Sequence, residues 1–206
     1  MSDPIRALAT HEAAHAAAAF VLGLPVNDAV LQARDGGARL SGYVGEFHSC
    51  RRVSIDDIPQ ENPGPPPAWA KSFESHRLFL PGALVAWAGP LAQERVAGNT
   101  HGDEGDMRRV TSLANLTHYA SGRSADAWTR LTRMAARRLL ASPMVWRAVK
   151  NLADELSRGL RLELIKAEHA EETGLVEFMV PAATAERLLE AGGARRGIFE
   201  NWGTVE

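Results

Sequence analysis

The amino-acid sequence predicts a mainly α protein of the α+β kind, with a small β-sheet near its first helix. Three observations support this fold class. An alanine-rich segment at 7–19 favours a helix, two short apolar segments flank a turn at 35–37, and amphipathic segments fill most of 82–170. With 206 residues, 45% of them hydrophobic, the chain is long enough for one domain with a sizeable core.

The first helix has favourable residues at both of its ends. Asp3 suits the N-cap position, and Pro4 suits the first helical position because its missing N–H would have no helical partner there. Gly23, followed by Leu24 and Pro25, favours the end of a helix. We therefore expect one helix between Pro4 and Gly23.

The next segment predicts two short strands and then a loop. Apolar patches at 26–31 and 43–47 lie on either side of Asp35-Gly36-Gly37, which favours a hairpin turn. Five prolines between residues 59 and 67 predict an exposed loop after the second strand.

The remainder of the chain predicts helices separated by short breaks. A helix at 82–97 is expected to bend at Pro90, and another helix is expected to start near Asp103. Segments 125–141 and 143–170 carry leucine, alanine and tryptophan at helical spacing. A short apolar segment then leads to a final helix.

Composition and charge exclude several classes of function. The formal net charge of −2 provides no positive field for nucleic acid or for an anionic membrane. A single cysteine, Cys50, excludes a disulfide within the chain and a multi-cysteine zinc site. No apolar run approaches the ~20 residues of a membrane span, and no targeting segment is apparent. We expect a cytoplasmic protein with one domain at 1–180 and a C-terminal helix and tail at 181–206.

The sequence HEAAH at residues 11–15 is typical of zinc hydrolases. Within a helix, His11 and His15 lie on one face, where both imidazoles can reach one metal ion. Glu12 can take a proton from water that zinc has acidified and can pass it to a leaving amine. The alternative is that HEAAH is a coincidence in an alanine-rich helix that binds no metal.

A catalytic zinc ion takes three protein ligands, so a third residue must complete the site. Spacing alone leaves several candidates open: Glu94, His101, Asp103, Glu104, Asp106 and His118. Asp106 also has an ordinary explanation, because a carboxylate in the first turn of a helix is stabilised by the helix dipole.

The order of the motifs resembles the protease domain of FtsH-type ATP-dependent zinc proteases. The segments that carry this resemblance are HEAAHAAAAFVLG, SGYVGEF, LVAWAGPLAQERVAG and HGDEGDMRRVTSLA. The resemblance implies a helical zincin-like metalloprotease domain, in which zinc is held by His11, His15 and Asp106 and Glu12 is the base.

The resemblance also implies how a substrate is held. Gly42, Tyr43 and Val44 would form an edge strand near the zinc, where an extended peptide can bind by strand addition. The alternative is an ordinary structural strand. Glu94 has two interpretations as well, as a carboxylate that orients a ligand histidine or as a residue of the helix surface.

The chain departs from that family in several places. It contains no Walker motif, G-x-x-x-x-G-K-[ST], and Ala14 stands where the family usually has glycine. Pro90 and Gln93 stand where the family tends to have charged or small residues.

We therefore predict a zinc metallopeptidase that hydrolyses peptides or unfolded proteins without an ATPase domain of its own. The alternative is a catalytically weak or inactive zinc-binding adaptor or regulatory protein of the same fold. The sequence leaves a homo-oligomer and a separate ATPase partner open.

Overall fold

The structure is a computed structural model that describes residues 3–34, 37, 39–44, 73–99, 104–121, 124–169 and 174–199, with the backbone alone at 44, 73–78 and 118–121. These residues form helices joined to one small sheet. In chain order the elements are α1 (Pro4–Val21), β1 (Ala29–Arg34), β2 (Arg39–Val44), α2 (Phe73–Ala97), α3 (Glu104–Ser121), α4 (Ala125–Ala141), α5 (Pro143–His169), β3 (Val176–Val180) and α6 (Ala182–Ala191). The prediction of a mainly α (α+β) fold is confirmed.

The first helix, α1, is enclosed by the rest of the fold. Pro4 begins it, and Gly23, with a φ of 78°, follows its end, as predicted. Asp3 takes the N-cap position, but its side chain pairs with Arg161 and does not cap the helix. Every residue from Ala9 to Val21 is buried, because α2, α5 and the strands β1 and β2 all pack against this helix.

The described strands form one antiparallel sheet in the order β2-β1-β3, so β2 and β3 are the edges of the described sheet. β1 and β2 make the predicted hairpin, but both strands lie closer to the turn than 26–31 and 43–47. Backbone pairing continues up to the turn through polar residues, as the pair formed by Arg34 and Arg39 demonstrates. Residues 45–47 lie outside the described part of the chain.

The third strand comes from late in the chain, where the sequence analysis recognised only an apolar segment. Phe178 of β3 packs directly over Gly159 of α5, where an added Cβ would lie 2.1 Å from the ring atom Cζ. Glycine is unfavourable inside a helix, and here it makes room for the ring. The sheet is thereby held against α5 as well as α1.

The remaining helices follow the prediction closely. α4 has the predicted bounds and α5 ends one residue earlier than predicted, whereas α2 begins well before residue 82 and contains Pro81 and Pro90. α6 packs on α5 and α1. The division of the chain at residue 180 stays a prediction. Among the described residues, no helix combines the length and the apolar character that crossing a membrane requires.

Candidate metal centre

Two side chains of α1 meet one side chain of α3. The imidazole Nε2 atoms of His11 and His15 lie 2.9 Å and 3.2 Å from the same carboxylate oxygen, Oδ2 of Asp106. His11 and His15 are on α1, one helical turn apart, and Asp106 is in the first turn of α3. The structure thus brings the three predicted ligands into one group that could hold a metal ion.

The donor atoms lie close enough together to be brought onto one small divalent cation. A zinc ion with bonds of about 2.1 Å at tetrahedral angles holds its ligand atoms about 3.4 Å apart. The distances of 2.9 Å and 3.2 Å between Asp106 Oδ2 and the two nitrogens are slightly shorter, and all three donor atoms lie within 4.8 Å of one another. Rotation of the side chains would adjust these distances to the ion. Two imidazoles and one carboxylate suit zinc, although other divalent metals accept the same donors.

The outer nitrogen of each imidazole is held by an acceptor on α2. Nδ1–H of His11 donates to Oε1 of Gln93 at 2.9 Å, and Nδ1–H of His15 donates to the carbonyl oxygen of Val85 at 2.8 Å. The amide of Gln93 also donates from Nε2 to Oδ1 of Asn99 at 3.3 Å. These bonds place the Nδ1 protons on the outside and turn both Nε2 atoms toward Asp106, which is how outer partners prepare histidines for a metal.

Glycine lets α2 approach these imidazoles. An added Cβ at Gly89 would lie 2.4 Å from Nε2 of His15 and 2.6 Å from Nε2 of His11. Atoms cannot approach so closely, so any larger residue at this position must displace the very atoms that would bind the metal. Gly89 lies midway between Val85 and Gln93, so one face of α2 provides both acceptors and the space between them.

The metal-free site carries opposite charges. Burial lowers the pKa of His15, but the charge of Asp106 and the hydrogen bond to it outweigh this effect and raise the pKa to about 9. Burial raises the pKa of Asp106, but the charges and hydrogen bonds of His15 and His11 hold it well below its usual range. At neutral pH His15 is therefore an imidazolium paired with a carboxylate. A metal ion must displace that proton in order to bind.

A pocket of about 230 Å³ opens onto the group. Its lining comes from α1, β2, α2 and α3 and consists of His11, Glu12, His15, Gly42, Tyr43, Val85, Ala86, Gly105, Asp106 and Arg109. Glu12, the predicted base, is 5% exposed and lies against β2, where an added Cβ at Gly42 would be 2.8 Å from its Cγ. Gly42 and Tyr43 belong to an edge strand, as expected, and the backbone of Val44 pairs with Ala29.

The other candidate ligands do not join the group, so far as the structure describes them. Glu94 is half-buried and its carboxylate pairs with Arg133 and Arg137 at 3.7 Å and 3.4 Å, away from the imidazoles. Glu104 is exposed at the start of α3. The side chains of the remaining candidates lie outside the described residues: His101, Asp103 and His118.

Three contributors to the site do not follow from the sequence. Gln93 differs from a family pattern there but carries no predicted role, and neither the carbonyl of Val85 nor the side chain of Arg109 belongs to a predicted site. One signal was present, because Val85, Gly89 and Gln93 have the same four-residue spacing as His11 and His15. Two helices that pack in antiparallel fashion can match such faces residue by residue.

The comparisons with known proteins add no relative to this picture. The chain matches no protein-family model, no curated protein and no solved structure. The resemblance to FtsH-type protease domains therefore stays a prediction from the sequence. The geometry of the site carries the functional argument.

Proposed function

We propose that this protein is a zinc-dependent peptidase whose active site is the pocket around His11, His15 and Asp106. The observation that supports the proposal is the convergence of both Nε2 atoms on Oδ2 of Asp106. A buried glutamate lines the same pocket, together with an edge strand. A metal site, an acid–base group and a place for an extended chain are what hydrolysis of a peptide bond needs.

Each side chain has a separate task in this proposal. His11, His15 and Asp106 would hold the zinc ion, which would supply the Lewis acidity that polarises a carbonyl group and acidifies water. The carboxylate of Glu12 takes the proton of the attacking water and returns it to the nitrogen of the leaving amine. Gln93 keeps the imidazole of His11 in the orientation that exposes Nε2.

The substrate is a peptide or an unfolded protein segment in extended form. Among the described residues β2 is an edge of the sheet, so one row of its backbone groups has no partner strand in that part of the chain. Gly42 and Tyr43 lie at the pocket, next to Glu12. A peptide added beside β2 would form main-chain hydrogen bonds there and would carry its scissile bond past the metal site. A separate ATPase that delivers unfolded substrate stays a prediction.

The test combines metal content with peptide cleavage. Wild type, Glu12→Gln and Asp106→Ala are loaded with zinc, dialysed and measured by elemental analysis, and each is then incubated with a peptide library. We expect one zinc ion per chain in wild type and in Glu12→Gln, and none in Asp106→Ala. Cleavage by Glu12→Gln should be about 10²- to 10⁴-fold slower than by wild type, because general acid–base catalysis is lost.

Glu94→Gln is the matched control, since it removes a carboxylate that lies outside the pocket and pairs with Arg133 and Arg137. It should keep both zinc and activity. Equal rates for wild type and Glu12→Gln would contradict the mechanism. A wild type that binds one zinc ion but cleaves no peptide would instead favour the zinc-binding adaptor.

A further inference from the structure

A basic side chain shares the pocket with the metal ligands. Arg109 lies one helical turn after Asp106 on α3, and the two residues therefore share a face of that helix. Arg109 is half-buried and lines the pocket, whereas its neighbour Arg108 is exposed and donates from Nε to the carbonyl oxygen of Glu104 at 3.3 Å. Two adjacent arginines thus have different surroundings.

The charge of Arg109 is not neutralised by a carboxylate of the described residues. The ion pairs among them do not include it. Asp106, the nearest acidic residue on the same face, directs its Oδ2 to His11 and His15. A half-buried guanidinium that faces a pocket, with no counter-ion among the described residues, is suited to an anionic group of a ligand.

The charge balance of the pocket leads to the same conclusion. Once a metal has displaced the proton of His15, the charged side chains among the described residues of the lining are Glu12, Asp106 and Arg109. A divalent cation would offset the two carboxylates, and Arg109 would then leave one net positive charge. A peptide with an additional negative charge would therefore be attracted to this pocket, even though the whole chain has a formal net charge of −2.

We propose that Arg109 selects substrates by binding a carboxylate of the peptide close to the scissile bond. This inference rests on the proposed peptidase function, because it assumes a substrate held at the metal site. The carboxylate can be an Asp or Glu side chain or the C-terminus of the peptide. A guanidinium binds either one through two parallel N–H···O hydrogen bonds.

The experiment uses four hydroxamate-capped dipeptides, since a hydroxamate binds zinc and anchors the probe at the metal site. The second residue is Glu or Gln, and the C-terminus is free or amidated. Calorimetry measures their affinities for zinc-loaded wild type, Arg109→Gln, Arg109→Lys and the matched control Arg108→Gln. Activity is not needed for this readout.

The neutral probe is the one with Gln and an amidated C-terminus. We expect wild type and Arg108→Gln to bind one of the two probes with a single carboxylate about 10- to 100-fold more tightly than this neutral probe, as a charge-assisted hydrogen bond predicts. Arg109→Gln should lose that preference while still binding the neutral probe, and Arg109→Lys should keep part of it. A preference for Glu identifies an acidic side chain as the ligand, and a preference for the free C-terminus identifies the terminal carboxylate.

Three outcomes would overturn the inference, and they differ from one another. Equal affinities of wild type for all four probes would show that no carboxylate is selected. An equal loss on every probe in Arg109→Gln would assign the arginine to the metal-bound end of the ligand. Failure of all four probes to bind zinc-loaded wild type would show that no ligand reaches the zinc from this pocket, which would refute the proposed active site and this inference with it.

Discussion

Helices α1 and α5 are both central to the core, but they contribute to it in opposite ways. α1 is buried around its whole circumference from Ala9 to Val21. Most of these buried residues are alanine, but His11, Glu12 and His15 are among them. α5 is amphipathic, and its buried stripe includes the large side chains Leu152, Leu156 and Leu160. Within this core α1 carries two of the candidate ligands, while α5 contributes large buried apolar side chains.

The difference shows how a small protein can bury polar groups. Alanine side chains on α1 leave room for α2 and β2 to pack closely, and Gly89 and Gly42 lie directly against the side chains of His15 and Glu12. Each buried imidazole then finds an acceptor, so the cost of removing it from water is offset. On α5, burying a leucine contributes about 1.5–3 kcal/mol through the hydrophobic effect.

The largest effect is expected from Gly89→Ala, which should abolish metal binding. The added methyl group would overlap Nε2 of His15 and His11, so these ligands must move. The affinity for zinc should fall by more than the factor of about 100 that loss of an outer partner can cause. Zinc titration with a competing chelator measures it, and circular dichroism verifies that the helices persist.

Gly82→Ala is the control for this variant. It lies on the same helix, and among the described side chains its added Cβ would meet Leu113 Cδ1 alone, at an ordinary 3.5 Å. The variant should bind zinc as wild type does and gain up to about 1 kcal/mol of stability from helix propensity. A Gly89→Ala protein that binds zinc normally would remove the close approach of α2 from the argument.

Leu156→Ala on α5 should lower stability without lowering zinc binding, which is the reverse of the effect of Gly89→Ala. Leu156 is completely buried, so its truncation should lower the free energy of unfolding by about 2–5 kcal/mol. The folded protein should still bind one zinc ion, because no atom of the site has changed. Urea denaturation and elemental analysis measure the two quantities. Leu162→Ala, at a position on the same helix that is 50% exposed, should change stability by less than about 0.5 kcal/mol.

Stability should fall with rising pH in the metal-free protein and should change little with pH when zinc is bound. In the metal-free protein the pKa of His15 rises from 6.5 to about 9, so its contribution is complete below pH 6.5 and is lost as the pH rises through about 9. This loss amounts to about 3 kcal/mol. Zinc competes with the proton on Nε2, so the stabilisation by zinc should grow over the same interval.

Denaturation at pH 6.5, 7.5 and 9, with chelator or with zinc, compares the two slopes. His15→Asn removes the titrating group and should flatten the slope of the metal-free protein. The lowered pKa of Asp106 has no effect in this interval, because its contribution is lost only as the pH falls below the usual carboxyl range. Parallel slopes with and without zinc would exclude His15 as a ligand.

Much of the fold follows from local sequence signals. Pro4 and Gly23 mark the ends of α1, and leucine spacing defines α5, because these features act within a few residues of the chain. The third strand, β3, was not predicted. Its pairing with β1 joins Val180 to Ala29, and no local pattern specifies a partner so distant in the chain.

The candidate site likewise has a part that local sequence signals predict and a part that only tertiary packing determines. Spacing on one helix places His11 and His15 on one face, but it leaves six candidates for a third ligand, and only tertiary packing places Asp106 near them. Gln93 could not be chosen over Glu94 from the sequence, since the glutamate is the more familiar outer partner. The rotation of α2 decides between them, because it turns Glu94 toward Arg133 and Arg137.

The smallest effect is expected at Gln93, and it tests whether α2 prepares the histidines. Gln93→Leu keeps most of the side-chain volume but removes the acceptor for Nδ1–H of His11, which is left buried without that bond. The affinity for zinc should fall about 10- to 100-fold, while Glu94→Gln should leave it unchanged.

Gln93→Glu sharpens the result, because a carboxylate accepts the same hydrogen bond more strongly and should restore the affinity or increase it. Chelator competition measures all three variants. If Gln93→Leu bound zinc as tightly as wild type, α1 alone would orient His11, and the contribution of α2 to the site would reduce to the space that Gly89 provides.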